Sequence, residues 1–140
     1  MLTIEIICAG RIKESYYTEA CLEYAKRLNG MVKLSVIEQP EGKPLQFVQD
    51  RAYTIALTPD GKLQSSEQFC DELWELADSG ISKIRFLIGG SDGLFEEDLQ
   101  RADAKKSLSP MTFTHAMARV LLLEQIYRAC MIRNGRKYHK

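Results

Sequence analysis

Lys83-Ile-Arg-Phe-Leu-Ile88 runs directly into Gly89-Gly-Ser-Asp-Gly93, a β-branched and aromatic segment that stops in a glycine-rich turn. Such a run reads as a strand, and its neighbours decide what kind of sheet it joins. Upstream, residues 2–8, 32–37 and 53–57 alternate or are β-branched and read as three more strands, stopping at Ala9-Gly10, at Pro40 and at Thr58-Pro-Asp-Gly61. Helical patterns separate them. Ser15 is the expected N-cap of a helix carrying Tyr16, Ala20, Tyr24 and Leu28 at helical spacing and ending at Asn29-Gly30. Residues 41–44 form a turn and residues 45–52 a short helix. Ser65 and Gln68 have capping-box spacing and open a helix with Phe69, Leu73, Trp74 and Leu76 inward. Downstream come a short helix over 96–102, a short fifth strand over 106–109 and the longest helix over 115–133. Strands alternating with helices pair in parallel through crossovers, so the expectation is a three-layer α/β domain of about five mostly parallel strands.

At 140 residues the chain is one domain's worth, taken here as a single domain over 1–140. Hydrophobic residues at 45% and charged residues at 27% exclude disordered and fibrous classes. The longest purely aliphatic run is Val120 to Leu123 and the N-terminus has no basic leader, so the expectation is a cytoplasmic protein without membrane span or export signal. Cys8, Cys21, Cys70 and Cys130 are scattered without CxxC spacing and read as buried, reduced thiols instead of zinc ligands; no metal is expected.

Nineteen basic and nineteen acidic residues cancel, which argues against gripping naked nucleic acid by bulk charge. The distribution is uneven: from Met111 onward six cations face one anion, Glu124, so the C-terminal part is a basic pole on an acidic body. In the last helix the polar residues Arg119, Glu124, Gln125, Arg128 and Arg133 share no single face. A helix so apolar all round needs cover on two sides. The sheet supplies one, and a second subunit packed on residues such as Leu122 and Ile126 would supply the other, which predicts a homodimer.

In parallel α/β sheets ligands bind beyond the carboxyl ends of the strands. Three such exits carry suggestive chemistry: residues 57–62, 89–93 and 108–113. The glycines do not form GxGxxG, and GxxxxGK[ST], HExxH and GxSxG are absent, so dinucleotide, P-loop, metalloprotease and serine-hydrolase readings fail. The side chains that titrate near neutral pH are His115 and His139.

Phe86-Leu-Ile-Gly-Gly-Ser-Asp-Gly-Leu94, Leu108-Ser-Pro-Met-Thr-Phe-Thr-His115, Arg119-Val-Leu, Glu124-Gln-Ile-Tyr-Arg-Ala129 and Tyr138-His139, in that order, resemble the RlmH family of SPOUT methyltransferases over essentially the whole chain. The resemblance implies an α/β-knot fold with a C-terminal trefoil knot, a homodimer, S-adenosylmethionine as methyl donor, and methylation of N3 of a pseudouridine in 23S ribosomal RNA on the assembled ribosome. Carried over by position, the cofactor pocket falls on Leu57, Gly89, Leu108, Ser109, Pro110, Met111, Thr112 and Phe113. Gly89 would leave room for the ribose and sulfonium. The C-terminal tail would reach the partner's pocket, with His139 as base, Tyr138 against the target base and Arg128 steadying the developing anion. His115, Arg119 and Lys140 would contact substrate, although Arg119 and Arg128 could each simply pair with Glu124 in the dimer interface, and for Arg119 function and structure weigh equally. The region between strands two and three is short for this family. Rival readings are methylation of another RNA such as tRNA, and a noncatalytic ribosome-binding module.

Overall fold

The computed structural model describes residues 1–137; Tyr138, His139 and Lys140 lie outside the described residues. In chain order the elements are β1 (Thr3–Ala9), α1 (Ser15–Leu28), β2 (Lys33–Gln39), β3 (Tyr53–Leu63), α2 (Ser66–Asp78), β4 (Lys83–Ile88), α3 (Glu96–Arg101), β5 (Ala104–Ser107) and α4 (His115–Arg133). The strands form one sheet in the order β2-β1-β4-β3-β5, and every neighbouring pair is parallel. Strands β1 and β4 are central and covered on both faces, which is why they read as nearly continuous apolar runs. Ile4, Ile6, Cys8, Ile84, Phe86 and Ile88 point to one face and pack with Leu28 of α1, Phe69 and Leu73 of α2, and Leu122, Leu123 and Ile126 of α4. Ile7, Ala9 and Leu87 point to the other, against Leu45, Phe47 and Leu94. The third layer is therefore thin, made of α3 and the β2–β3 connection. Among the described residues no helix is long and apolar enough to cross a membrane.

Several local expectations are corrected. Ser15 is the first helical residue, and Glu14 holds the cap position without a side-chain bond. The capping box at α2 forms as expected, Gln68 N donating to Ser65 Oγ at 3.1 Å and Ser65 N to Gln68 Oε1 at 2.9 Å. Strand β3 does not end at Thr58 but continues to Leu63, with a register shift against β5 between Leu57 and Lys62. Pro59, which has no N–H for a ladder, sits inside that irregularity. The fifth strand lies two residues earlier than expected, because the Ser107 hydroxyl donates to Ser109 O and accepts from Ser109 N, turning the chain out of the sheet.

No helix forms over residues 45–52. Leu45 is buried and Phe47 half-buried while Gln46 and Val48 are exposed, a two-residue period that lays an extended segment on the sheet. Polar contacts hold it there: Leu45 N donates to the buried Asp98 at 2.9 Å, Gln46 N to the Gln39 side chain at 2.7 Å, and Arg101 to Phe47 O at 2.8 Å. The Arg101 and Arg85 guanidinium groups lie over the Phe47 ring at 3.8 and 4.7 Å from its centroid. Arg85 is 2% exposed and is compensated by Glu5 at 3.2 Å and Asp50 at 2.8 Å.

The second cover expected for α4 comes from within the chain. Helices α1 and α2 flank it, with Trp74 Nε1 donating to Ala129 O at 3.0 Å, Ser66 Oγ to Gln125 at 2.6 Å, and the Tyr24 and Tyr127 rings 6.1 Å apart. Leu122 and Ile126 are fully buried against the sheet of their own chain, so they are core residues and not interface residues.

The hydrogen bond from Arg85 holds the Asp50 carboxyl well below the usual carboxylate range. A group depressed in the folded state contributes stability that is present above its unfolded value near 4 and is lost as pH falls through the folded value. Asp50→Asn is expected to cost about 1–3 kcal/mol at pH 7, since Arg85 stays buried with one partner fewer. In urea titrations the gap between variant and wild type stays constant above about pH 5 and closes as pH falls below about 4.

Candidate active site

Because all five strands run the same way, the irregularity of β3 around Pro59 and the turns after β4 and β5 meet at one edge of the sheet. There they line a cleft of about 140 Å³ that opens to solvent. Its walls include Leu57, Gly89, Leu108, Ser109, Met111, Thr112 and Phe113, so seven of the eight positions carried over as cofactor contacts come together; Pro110 is not among the lining residues. His115, expected on the substrate side, also lines the cleft, from the first turn of α4. Thr58, Pro59, Gly90, Ser91 and Gly93, within the exits read from the sequence, line it as well, and Ile88, Ser107 and Ala118, which the sequence did not single out, complete the walls.

The segment after β5 is built to meet a ligand with its backbone. Met111 N donates to Ser109 Oγ at 3.0 Å, closing a small turn, and Thr114 Oγ1 caps α4 by accepting from Met117 N at 3.3 Å. Between these ties, the N–H groups of Thr112 and Phe113 donate to no protein group among the described residues. Met111 is 74% and Phe113 37% exposed, so apolar side chains stand at the mouth of the cleft beside unused backbone donors. A flat heteroaromatic ring with a hydrogen-bonding edge suits that combination.

The loop after β4 is held from two sides. A Cβ at Gly89 would run into the backbone of Gly93 and Leu94 in its own turn. The expectation that Gly89 leaves room for a ligand is corrected to this extent: the missing side chain is required first for the turn to close. Glu41, read from the sequence only as part of a turn, reaches across to accept from Ser91 N at 2.8 Å, and its carboxylate fills the space a side chain at Gly90 would need. That backbone donor holds the Glu41 carboxyl below the usual range. No local signal marks this contact, because the partners are fifty residues apart.

Arg119 is 5% exposed and lies under the edge instead of facing a substrate. Its partner is not Glu124 but Glu38 at the end of β2, at 2.8 Å, with the Gly10 carbonyl at 3.5 Å; its Nε is buried without a hydrogen bond. Burial would raise the Glu38 carboxyl, but Arg119 outweighs it and holds it low. Arg128 sits in the middle of α4, paired with Glu124 at 2.6 Å, and lines no wall of the cleft. The roles carried over for Tyr138, His139 and Lys140 fall outside the described residues. Cys8, Cys70 and Cys130 are buried and Cys21 half-buried, all four free. Burial pushes the Cys8 and Cys130 thiols up to about 11, so they are not nucleophiles at neutral pH. Among the described residues no group of three or more His, Cys, Asp or Glu side chains could hold a metal ion.

Comparison with known proteins places this edge in context. Residues 2–139 match the family model described as "Predicted SPOUT methyltransferase". The ribosomal RNA large subunit methyltransferase H of Alkaliphilus oremlandii is 42% identical, that of Clostridium novyi 43% and that of Listeria monocytogenes 38%, each alignment covering 99% of this chain and 100% of the relative. These alignments run over 159 positions, so the relatives are longer than this 140-residue chain. A solved structure described as a probable methylase family protein from Haemophilus influenzae Rd KW20 superposes with a TM-score of 0.67 over 100% of this chain and 72% of that one, at 16% identity, which speaks to the fold.

Gly89→Ala is expected to destabilise the protein by about 1–3 kcal/mol, the usual cost of forcing atoms into a closed space. Thermal unfolding would show it as a lower Tm, and an unchanged Tm would mean the turn has slack that the geometry does not show.

Proposed function

The chain belongs to the SPOUT methyltransferase family, and from that membership together with the cleft we propose that it is an S-adenosylmethionine-dependent methyltransferase of large-subunit ribosomal RNA. The target atom in this reading is N3 of a pseudouridine on the assembled ribosome, and the enzyme works in the cytoplasm as a homodimer. The observation that carries it is the convergence at one strand edge of Leu57, Gly89, Leu108, Ser109, Met111, Thr112 and Phe113.

Those residues fit the cofactor. The free N–H groups of Thr112 and Phe113 and the exposed Met111 and Phe113 side chains suit an adenine ring, and the polar Ser91, Ser109 and Thr58 suit a ribose. When bound, S-adenosylmethionine supplies a methyl group on a sulfonium, electrophilic without further activation. The protein's part is to hold N3 in line with that methyl and to take the N3 proton as the N–C bond forms. In this reading His139 takes the proton, Tyr138 fixes the base, and Lys140 and His115 contact the substrate. Arg128 would serve across the dimer, since it is remote from the cleft of its own chain. Arg119 acts at a distance, by fixing Glu38 and the β1–α1 turn. The segment after β5, which turns back to the β4 loop, is read as the thread of the trefoil knot.

In this reading the dimer forms on the outer side of α4; the half-buried Val120, Leu121 and Met131 beside the Glu124–Arg128 pair support it. Leu121→Asp is expected to give folded monomers in analytical ultracentrifugation; native dimers would put the interface elsewhere.

Two measurements test the activity. Calorimetric titration with S-adenosylmethionine should show binding, and its absence would favour a noncatalytic module. Mass spectrometry of ribosomal RNA from a deletion strain should show loss of one methyl on a large-subunit pseudouridine, whereas a methyl lost from tRNA would redirect the substrate. Deleting residues 138–140 should leave fold and cofactor binding intact while lowering methyl transfer by about 10²-fold or more, the usual contribution of a positioned acid or base. Mixing that deletion with a Thr112→Trp subunit, whose own cleft is filled, should restore activity in the heterodimer if the tail serves its partner's cleft.

A further inference from the structure

Beside the cleft lies a second groove of about 580 Å³ at the same edge of the sheet, over the ends of β1 and β2. It is lined by Arg11, Lys13, Glu14, Glu38, Glu41 and His115, with Gly10, Gln39 and Pro40 as backbone floor. His115 lines both cavities, and Glu41, bonded to Ser91, forms the remaining partition between them. The two spaces are therefore neighbours across one imidazole and one carboxylate, and whatever occupies the groove lies alongside the ligand of the cleft.

The charges of the groove differ in how far they are committed. Glu38 is taken by Arg119 and by Ile12 N at 3.3 Å, and Glu41 by Ser91. Arg11 and Lys13 are exposed and make no ion pair or hydrogen bond among the described residues. Glu14, at the cap of α1, is the one remaining carboxylate of the lining. The turn that carries the two cations is fixed, Gly10 N donating to Gln39 O at 2.6 Å while Arg119 holds the Gly10 carbonyl from below. Arg11 and Lys13 thus stand two residues apart on a fixed turn at the groove, where Glu38 is compensated by Arg119 while Glu41, bonded to a neutral N–H, and Glu14 keep their charge.

We propose that this groove seats backbone phosphates of the RNA strand carrying the target nucleotide, with Arg11 and Lys13 as the phosphate contacts. The assignment rests on the reading of the protein as an RNA methyltransferase and adds where the strand runs: across the ends of β1 and β2, past His115, with the target base turned into the cleft. Phosphate contacts position a strand without reading its sequence, which suits a site whose specificity comes from elsewhere on the ribosome.

The test compares wild type with Arg11→Gln/Lys13→Gln in filter binding to purified assembled ribosomes at several salt concentrations. Losing two phosphate contacts should flatten the plot of log affinity against log salt by about 1.4–1.8 and weaken binding on the order of tenfold or more near 0.1 M salt. Calorimetry with S-adenosylmethionine should show unchanged affinity for the cofactor, and the charge-preserving Arg11→Lys/Lys13→Arg should keep the wild-type slope. Lys26→Gln, at the far end of α1, serves as a control and should keep it too. Equal slopes for wild type and the Gln pair, or no binding of assembled ribosomes by wild type, would overturn the groove assignment. If wild type binds assembled ribosomes lacking the methyl but transfers none to them, the proposed activity falls, and the slope comparison still decides the groove.

Discussion

Parallel pairing of all five strands is the constraint on which the molecule turns. A parallel strand has to be re-entered from the same end each time, so every carboxyl end and every departing turn falls on one edge. That edge collects the Gly10 turn, the Pro40-Glu41 corner, the β3 irregularity around Pro59, the Gly89–Gly93 loop and the run from Leu108 to Thr114. Turns crowded together would wander if nothing joined them. Here two carboxylates tie them: Glu38 links β2 to α4 and to the β1–α1 turn, and Glu41 links the β2 corner to the β4 loop. The edge is thus set by contacts between segments far apart in the chain, before any ligand arrives.

Much of this was legible because strands β1 and β4 and helices α2 and α4 carry their own local instructions. Residues 83–88 are a strand and residues 115–133 a helix with the bounds the pattern indicates, and Ser65 with Gln68 makes its capping box. The cleft was legible from topology once the strands were placed. What escaped depends on partners distant in sequence. Leu45 and Phe47 follow a two-residue period because Asp98, Arg85 and Arg101 hold that stretch flat on the sheet, and nothing within residues 45–52 announces it. The all-round apolar character of α4 correctly demanded a second cover, but α1 and α2 supply it, so Leu122 and Ile126 belong to the core. Arg119 and Glu38 are 81 residues apart, beyond any pattern of spacing.

Arg119 shows how a residue in a functional motif can act through structure. A guanidinium 5% exposed is costly unless compensated, and Glu38 compensates it from a partly exposed position. Removing either partner would leave the other uncompensated, and the Gly10 turn would lose its anchor at the same time. The charge on Arg119 is spent inside the fold. Arg11 and Lys13, on the turn it anchors, remain for an anionic ligand at this edge.

A formal charge of zero is then compatible with an RNA substrate, because sum and arrangement are different quantities. Arg27, Lys83, Arg85, Lys106, Arg119, Arg128 and Arg133 each stand beside a carboxylate, so much of the positive charge has no reach beyond the fold. Arg11 and Lys13 are uncommitted and stand where the cleft opens toward β1 and β2. With the Debye length near 8 Å at physiological salt, a phosphate passing this edge feels those two charges and the nearby carboxylates far more than the chain's remote ones. Glu38 is compensated by Arg119, and what offers a passing phosphate its contacts, in a molecule that is neutral overall, is the exposure of Arg11 and Lys13 on a fixed turn. His115, at the positive N-terminus of α4 and common to both cavities, stands at the junction where a strand held in the groove must turn its base toward the methyl donor.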